Sequence, residues 1–219
     1  MAVTVILAGL LFPTIAGIRE NAYRVISSSN LRQMGLGLHM YVQDSSEQLP
    51  YTAWLDDDGL GWQPQELMAA RIDDTYGWDG LGRLFHYGYV AHPSVFYSPA
   101  HTGKHPELRY ESMWLDPGAE RIYTNYHYAG DVDWREGELR AMDAHENFAL
   151  ITDGMRTLSD LNHDNGIHVL ARDGSVTFQN DLIQAITEIV PREPASLDFD
   201  SYIELWQIVS EGSPSQTAW

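Results

Sequence analysis

The chain has 219 residues, of which 44% are hydrophobic and 11% aromatic, enough to bury one sizeable core and too apolar for a disordered, collagenous or low-complexity chain. With 13 basic against 31 acidic residues the formal charge is -18, and such a field repels phosphate backbones, so nucleic acid is not an expected partner. The absence of cysteine excludes a disulfide framework, thiolate-bound zinc, iron–sulfur clusters and a thiol nucleophile.

From Met1 to Ile18 no residue is charged, and the apolar run ends abruptly at Arg19-Glu20. Neither a basic stretch before the run nor an A-x-A site after it is present, so a cleaved secretory signal is not expected. As a helix this run rises about 27 Å at about 1.5 Å per residue, the low edge of a membrane-spanning length. Pro13, flanked by Gly9 and Gly17, predicts a stretched or unwound turn. No turn signal follows Arg19, and Ala22, Val25, Ile26, Leu31, Met34, Leu38, Tyr41 and Val42 recur at three- and four-residue spacings. The pattern predicts one helix from the first residues to about residue 46, with Pro50 as a stop, roughly 70 Å long by the same rise. Its second half lies on a domain and its first half projects. The chain divides accordingly into an assembly helix, 1–48, and a β-rich head, 49–219.

In the head, residues 51–95 are aromatic and Gly-rich, read as loops with one short helix around Gln65 to Arg71. Strands are predicted at Ser94 to Tyr97, Arg121 to Tyr128, Phe148 to Thr152, Ile167 to Ala171 and Ser175 to Phe178, from β-branched and aromatic runs bounded by turn residues. They form an antiparallel sheet. Arg172-Asp173-Gly174 is a hairpin signal, because Asp-Gly supplies the positive φ that a tight turn needs. Residues 181–190 and 197–209 read as short amphipathic helices, followed by a Ser/Pro/Gln tail to Trp219. The fold class is therefore α+β.

Several segments carry a family resemblance. LFPTIAGIRENAYRVISSSNLRQMGLGLHMYVQDSSEQLP resembles the N-terminal helix of type IV pilin-like proteins, in particular the type II secretion pseudopilin-like, DUF1559-like group with a C-terminal H-x9-DG motif. That motif is present as His163, nine intervening residues, then Asp173-Gly174, and FYSPAH at 96–101 resembles a further family segment, with Ser98 where cysteine is usual. The chain departs from the family pattern in lacking a basic leader, a prepilin cleavage site and the Phe-Thr-Leu-x-Glu start, and about nine mature residues before Pro13 are missing by comparison. The resemblance implies a pilin-like fold, a long helix packed on a small antiparallel sheet, and a structural subunit of a pilus-like or pseudopilus filament. It implies a helical homopolymer held by Val5, Ile6, Leu10, Leu11, Phe12 and Pro13, which is anchored in the inner membrane before assembly. The filament is then periplasmic or extracellular, handled by pilus or secretion machinery.

No H-E-x-x-H, G-x-S-x-G, Walker loop or dinucleotide fingerprint occurs, so catalysis is not expected. The alternative is a membrane-tethered metal-binding protein or metallohydrolase using His163, His168 and Asp173, with Asp153 nearby, since imidazole and carboxylate ligands suit zinc or iron. Against it, alternation places His168 opposite Val169 as a surface or sheet-facing residue, His163 can tie a loop to the Asp173 turn, and the turn itself explains Asp173-Gly174. Asp153, Asp160 and Asp164, and separately Asp56 to Asp58, form oxygen-rich loops of the kind Ca²⁺ prefers. A loop Ca²⁺ is what the family resemblance implies there.

Overall fold

The computed structural model describes residues 2–56, 58–116, 118, 120–131, 148–192 and 199–211, of which 2–16 and 199 are described by their backbone alone. The side chains of Val5, Ile6, Leu10, Leu11, Phe12 and Pro13, as well as Asp57 and the tail to Trp219, therefore lie outside the described residues.

Helix α1 runs from Ala2 to Asp44 without interruption. The unwound turn expected at Pro13 is not there, because a proline withholds only one backbone donor and the helix continues on both sides of it. Leu31, Met34, Leu38, Tyr41 and Val42 of the apolar stripe are buried, as the three- and four-residue spacing requires. Upstream, the stripe is exposed among the described residues, for Val25 is 70% exposed, Ile26 45% and Ile18 64%. Among the helix residues described from 17 onward, Ser27 is the first that is fully buried. Among the described residues no helix is long and apolar enough to cross a membrane.

The head is built on β3 (Tyr126–Tyr128), β4 (Ala149–Asp153), β5 (Ile167–Ala171) and β6 (Val176–Gln179), antiparallel neighbours in that order. A second pair joins β1 (Ala69–Arg71) to β2 (Ile122–Tyr123). The hairpin between β5 and β6 turns at Gly174, whose φ of 82° is the left-handed value the Asp-Gly signal predicts. Alternation along the strands sends Tyr126, Asp153, His168 and Leu170 to the face covered by α1, and His127 to the face covered by α5 (Phe199–Glu211). Gly35 is where helix and sheet come closest: a Cβ there would stand 3.0 Å from Leu170 Cδ1. Helix α4 (Ile183–Ile189) packs beside α5, so the two C-terminal helices are where the sequence placed them.

Three segments differ from expectation, the first being the single strand expected over Arg121 to Tyr128, which is broken after Tyr123 into β2 and β3 of different sheets. Residues expected to be helical from Gln65 to Arg71 form a 3-10 turn at Pro64–Glu66 and then strand β1, because Pro64 starts a turn and the Ala69-Ala70-Arg71 backbone pairs with β2. The strand expected at Ser94 to Tyr97 is a 3-10 turn, Pro93–Phe96, opened by Pro93 and packed against α1.

Candidate functional site

On the α1-facing side of the sheet, a row of polar and aromatic residues crosses from β3 to β6: Tyr126, Asp153, His168 and Phe178. Burying a carboxylate there demands donors, and Asp153, 1% exposed, has three. Its Oδ2 accepts from the His168 backbone N–H at 2.6 Å and stands 3.1 Å from His168 Nδ1, while its Oδ1 accepts from Asn162 Nδ2 at 2.8 Å. Asn162 is held in turn, donating to the Asn125 carbonyl at 2.9 Å, with His101 Nδ1 at 3.1 Å from its amide oxygen.

The loop after Asn162 brings in His163, 2% exposed, whose ring meets His168 edge-on with centroids 4.9 Å apart. Phe178 walls both imidazoles, at 4.7 Å from His168 and 5.6 Å from His163. The Nδ1 of His163 lies 2.8 Å from Oε1 of Glu20 on α1, and Glu20 also accepts from Arg24 Nε at 3.3 Å. Arg24 closes the top of the site, its guanidinium 4.1 Å from the Phe178 ring centre and bonded to Asn165. Hydrogen bonds thus join α1 to the loop carrying His163, and the edge-on contact of His163 with His168 carries the connection on to strands β4 and β5.

The carboxyls respond to this setting. Burial pushes Asp153 up, but the His168 hydrogen bond and charge, with His163 beyond, outweigh burial and hold it below the usual carboxylate range. For Glu20, burial again pushes upward and is overcome by the hydrogen bond and charge of His163, then by Arg24. Both acids are thus ionised acceptors for the two imidazoles. Ligand atoms of Asp153, His163 and His168 all lie within 4.8 Å of one another.

The structure regroups the residues expected at a site. Asp153 does join His163 and His168, but Asp173 does not. It is exposed in the β5–β6 turn, where its Oδ1 accepts from the Ser175 N–H, so the H-x9-DG spacing unites a buried ligand-type residue with a turn-former and not two ligands. His163 is tied to Glu20, not to the Asp173 turn. The set Asp153, Asp160 and Asp164 does not come together: Asp160 is buried and accepts from Thr157 Oγ1 at 2.8 Å, and Asp164 is exposed. Asp56 accepts from the Tyr51 hydroxyl and the Asp58 N–H, the pattern of a self-satisfied turn. Sequence reasoning missed Glu20 and Asn162 as members of the site. For Glu20 a signal existed, since it is the sole acidic residue between Met1 and Gln43 and sits beside the apolar stripe.

Ser98, where the resemblance expects cysteine, is buried and shares a 2.8 Å hydrogen bond with Ser27, while Asn30 donates to the Tyr97 carbonyl at 2.9 Å. These bonds pin the middle of α1 to the turn at Pro93–Phe96.

Residues 17–81 match the model of a family described as a protein of unknown function (DUF1559). The matched segment begins in the exposed part of α1, contains Glu20 and ends before α2 (Gly82–His86), so it excludes Asp153, His163 and His168. No curated protein and no solved structure matches the chain.

Proposed function

We propose that the protein is a structural subunit of a type IV pilus-like or pseudopilus filament, with a pilin-like fold, that polymerises through the N-terminal half of α1. The observation that carries this reading is the mismatch between helix and head. Helix α1 has 43 residues, about 65 Å at about 1.5 Å per residue, yet among the residues described from 17 onward its contacts with the head begin at Glu20 and full burial at Ser27. Upstream, the helix offers Ile18 and Val25 to solvent and continues into a run without a single charge. An apolar helix face left uncovered by the described residues is stabilised by a bilayer or by copies of itself, with roughly 1.5 to 3 kcal/mol for each large side chain buried. Both covers fit the proposed life of the subunit, anchored in the inner membrane first and then bundled in a periplasmic or extracellular filament with the aid of pilus or secretion machinery. Assembly residues are Val5, Ile6, Leu10, Leu11, Phe12 and Pro13. In this reading the protein has no catalytic activity.

Electron microscopy of the purified full chain tests the reading. Filaments tens of subunits long are expected; monodisperse particles under every detergent and salt condition would refute it. A metallohydrolase reading gains the meeting of His163 and His168 with Asp153, but loses Asp173, and the cluster is buried to within 2% of full cover where a hydrolytic centre needs an open position for water and substrate.

A further inference from the structure

The buried polar row between α1 and the sheet contains one atom that its surroundings leave unexplained. His163 gives Nδ1 to Glu20, and a carboxylate only accepts, so Nδ1 carries a proton; when the ring is neutral its lone pair lies on Nε2. That Nε2 is buried and has no hydrogen-bond partner among the described residues. A bare imidazole lone pair in a closed interior is costly unless something electrophilic meets it. Its neighbours are of the right kind: a second imidazole, His168, and an ionised carboxylate, Asp153, with ligand atoms of all three within 4.8 Å.

We propose that Asp153, His163 and His168 bind a borderline divalent transition-metal ion of the Zn²⁺ class, which fastens the loop carrying His163 to strands β4 and β5. Two ligands on one tetrahedral ion with bonds of about 2.0–2.1 Å stand about 3.4 Å apart. The His168 Nδ1 to Asp153 Oδ2 distance of 3.1 Å already approximates such an edge, and the His163 ligand atom, within 4.8 Å of both, closes in by at most about 1.4 Å. When the ion binds, His168 keeps one proton on Nε2 and its Nδ1 lone pair faces the ion: the neutral ring changes tautomer, its Nδ1 proton going to solvent as Nε2 takes one up, whereas an imidazolium only releases its Nδ1 proton. Two imidazoles with one carboxylate select zinc, iron, nickel or copper over calcium, which takes oxygen ligands. The outer shell is in place as well. Glu20 orients His163 by the carboxylate–histidine bond that metal-bound imidazoles characteristically make, and Asn162 holds the other oxygen of Asp153. Through Glu20 the ion also fixes α1, so its uptake is read at the junction of the helix with the head.

The test uses the full chain, stripped with a chelator and dialysed, titrated calorimetrically with Zn²⁺ and in parallel with Ca²⁺, with Co²⁺ as a spectroscopic probe. Expected are one Zn²⁺ site, a visible absorption band of tetrahedral Co²⁺ that Zn²⁺ displaces, and no corresponding Ca²⁺ uptake. His163→Gln abolishes that site and the cobalt band, and Glu20→Gln weakens binding 10- to 100-fold, in the manner of an outer-shell carboxylate. Folded wild-type protein that takes up neither Zn²⁺ nor Co²⁺ overturns the proposal, as does unchanged affinity in His163→Gln. Should His163→Gln lose its circular-dichroism signature of folding, Glu20→Gln decides, and affinity equal to wild type in that variant overturns the proposal. Filament formation is independent of these readouts, so failure of either idea leaves the other standing.

Discussion

Asp153→Asn is the sharpest perturbation of the network that joins α1 to the sheet. Asparagine keeps the shape of the side chain but replaces one acceptor oxygen by a donor amide. Of the three bonds that Asp153 accepts, two converge on Oδ2 and one, from Asn162 Nδ2, reaches Oδ1. The asparagine oxygen can serve the Oδ2 pair, but its amide then faces the Asn162 amide, donor against donor. Leaving a buried donor unsatisfied costs about 1–3 kcal/mol, and converting the charged bond to His168 into a neutral one removes about another 1 kcal/mol, a total of roughly 2–4 kcal/mol. Urea unfolding of the chelator-treated protein, followed by circular dichroism, reads this directly. With a slope of about 2–3 kcal/mol per molar urea the midpoint falls by about 0.7–2 M. A loss below about 0.5 kcal/mol at unchanged slope would refute the claim that Asp153 is a fully engaged buried acceptor.

Gly35→Val places a branched side chain 3.0 Å from Leu170, which is fully buried and has nowhere to retreat; overpacking should cost about 1–3 kcal/mol in the same urea assay, and a gain in stability would contradict the close approach of helix and sheet. His127 is held at a pKa of about 3 by burial and by the charge of Arg156, and its Nδ1 accepts the Met155 N–H, so the fold requires the neutral ring. Its folded pKa is depressed, so its contribution is present above the unfolded value of about 6.5 and is lost as pH falls from there toward 3; the stability advantage of wild type over His127→Gln should shrink by about 2 kcal/mol between pH 7.5 and pH 5, and a constant gap would refute the assignment. The charge of -18 per subunit predicts filaments that shorten at about 0.01 M salt, where the Debye length is about 30 Å, and lengthen as salt is added; lengths indifferent to ionic strength in electron micrographs would exclude electrostatic limitation of assembly.

What the sequence revealed follows from which signals are periodic. The stripe from Leu31 to Val42, strands β4 to β6, the Asp-Gly turn and helices α4 and α5 all rest on repeating apolar positions or on a turn residue with one conformational demand, and each is present. The segment Gln65 to Arg71 failed because a three-residue strand is too short for any period, and its pairing with β2 is a long-range fact. Pro13 failed for the opposite reason, a strong local rule outweighed by a long helix that tolerates one missing bond. His163 and His168 were legible as a pair, but Asp173 was grouped with them by spacing although the hairpin carries it to the far end of β5. Glu20 is 143 residues away from His163 in the chain, and only the packing of α1 across the sheet brings the two together.

The central claim is that the uncharged N-terminal half of α1 exists to meet copies of itself. Leu10→Asp and Ile6→Asp place a charge where the proposed bundle is dry, upstream of Glu20 and Arg24, which touch the head, and of Ser27, which is fully buried in it. Filaments of the full chain and of each variant, counted and measured by electron microscopy at equal subunit concentration, give the decisive comparison. The account predicts long filaments for wild type and none for either variant, with the circular-dichroism spectrum of the head preserved in all three. Filaments of wild-type length and number from Leu10→Asp would contradict it.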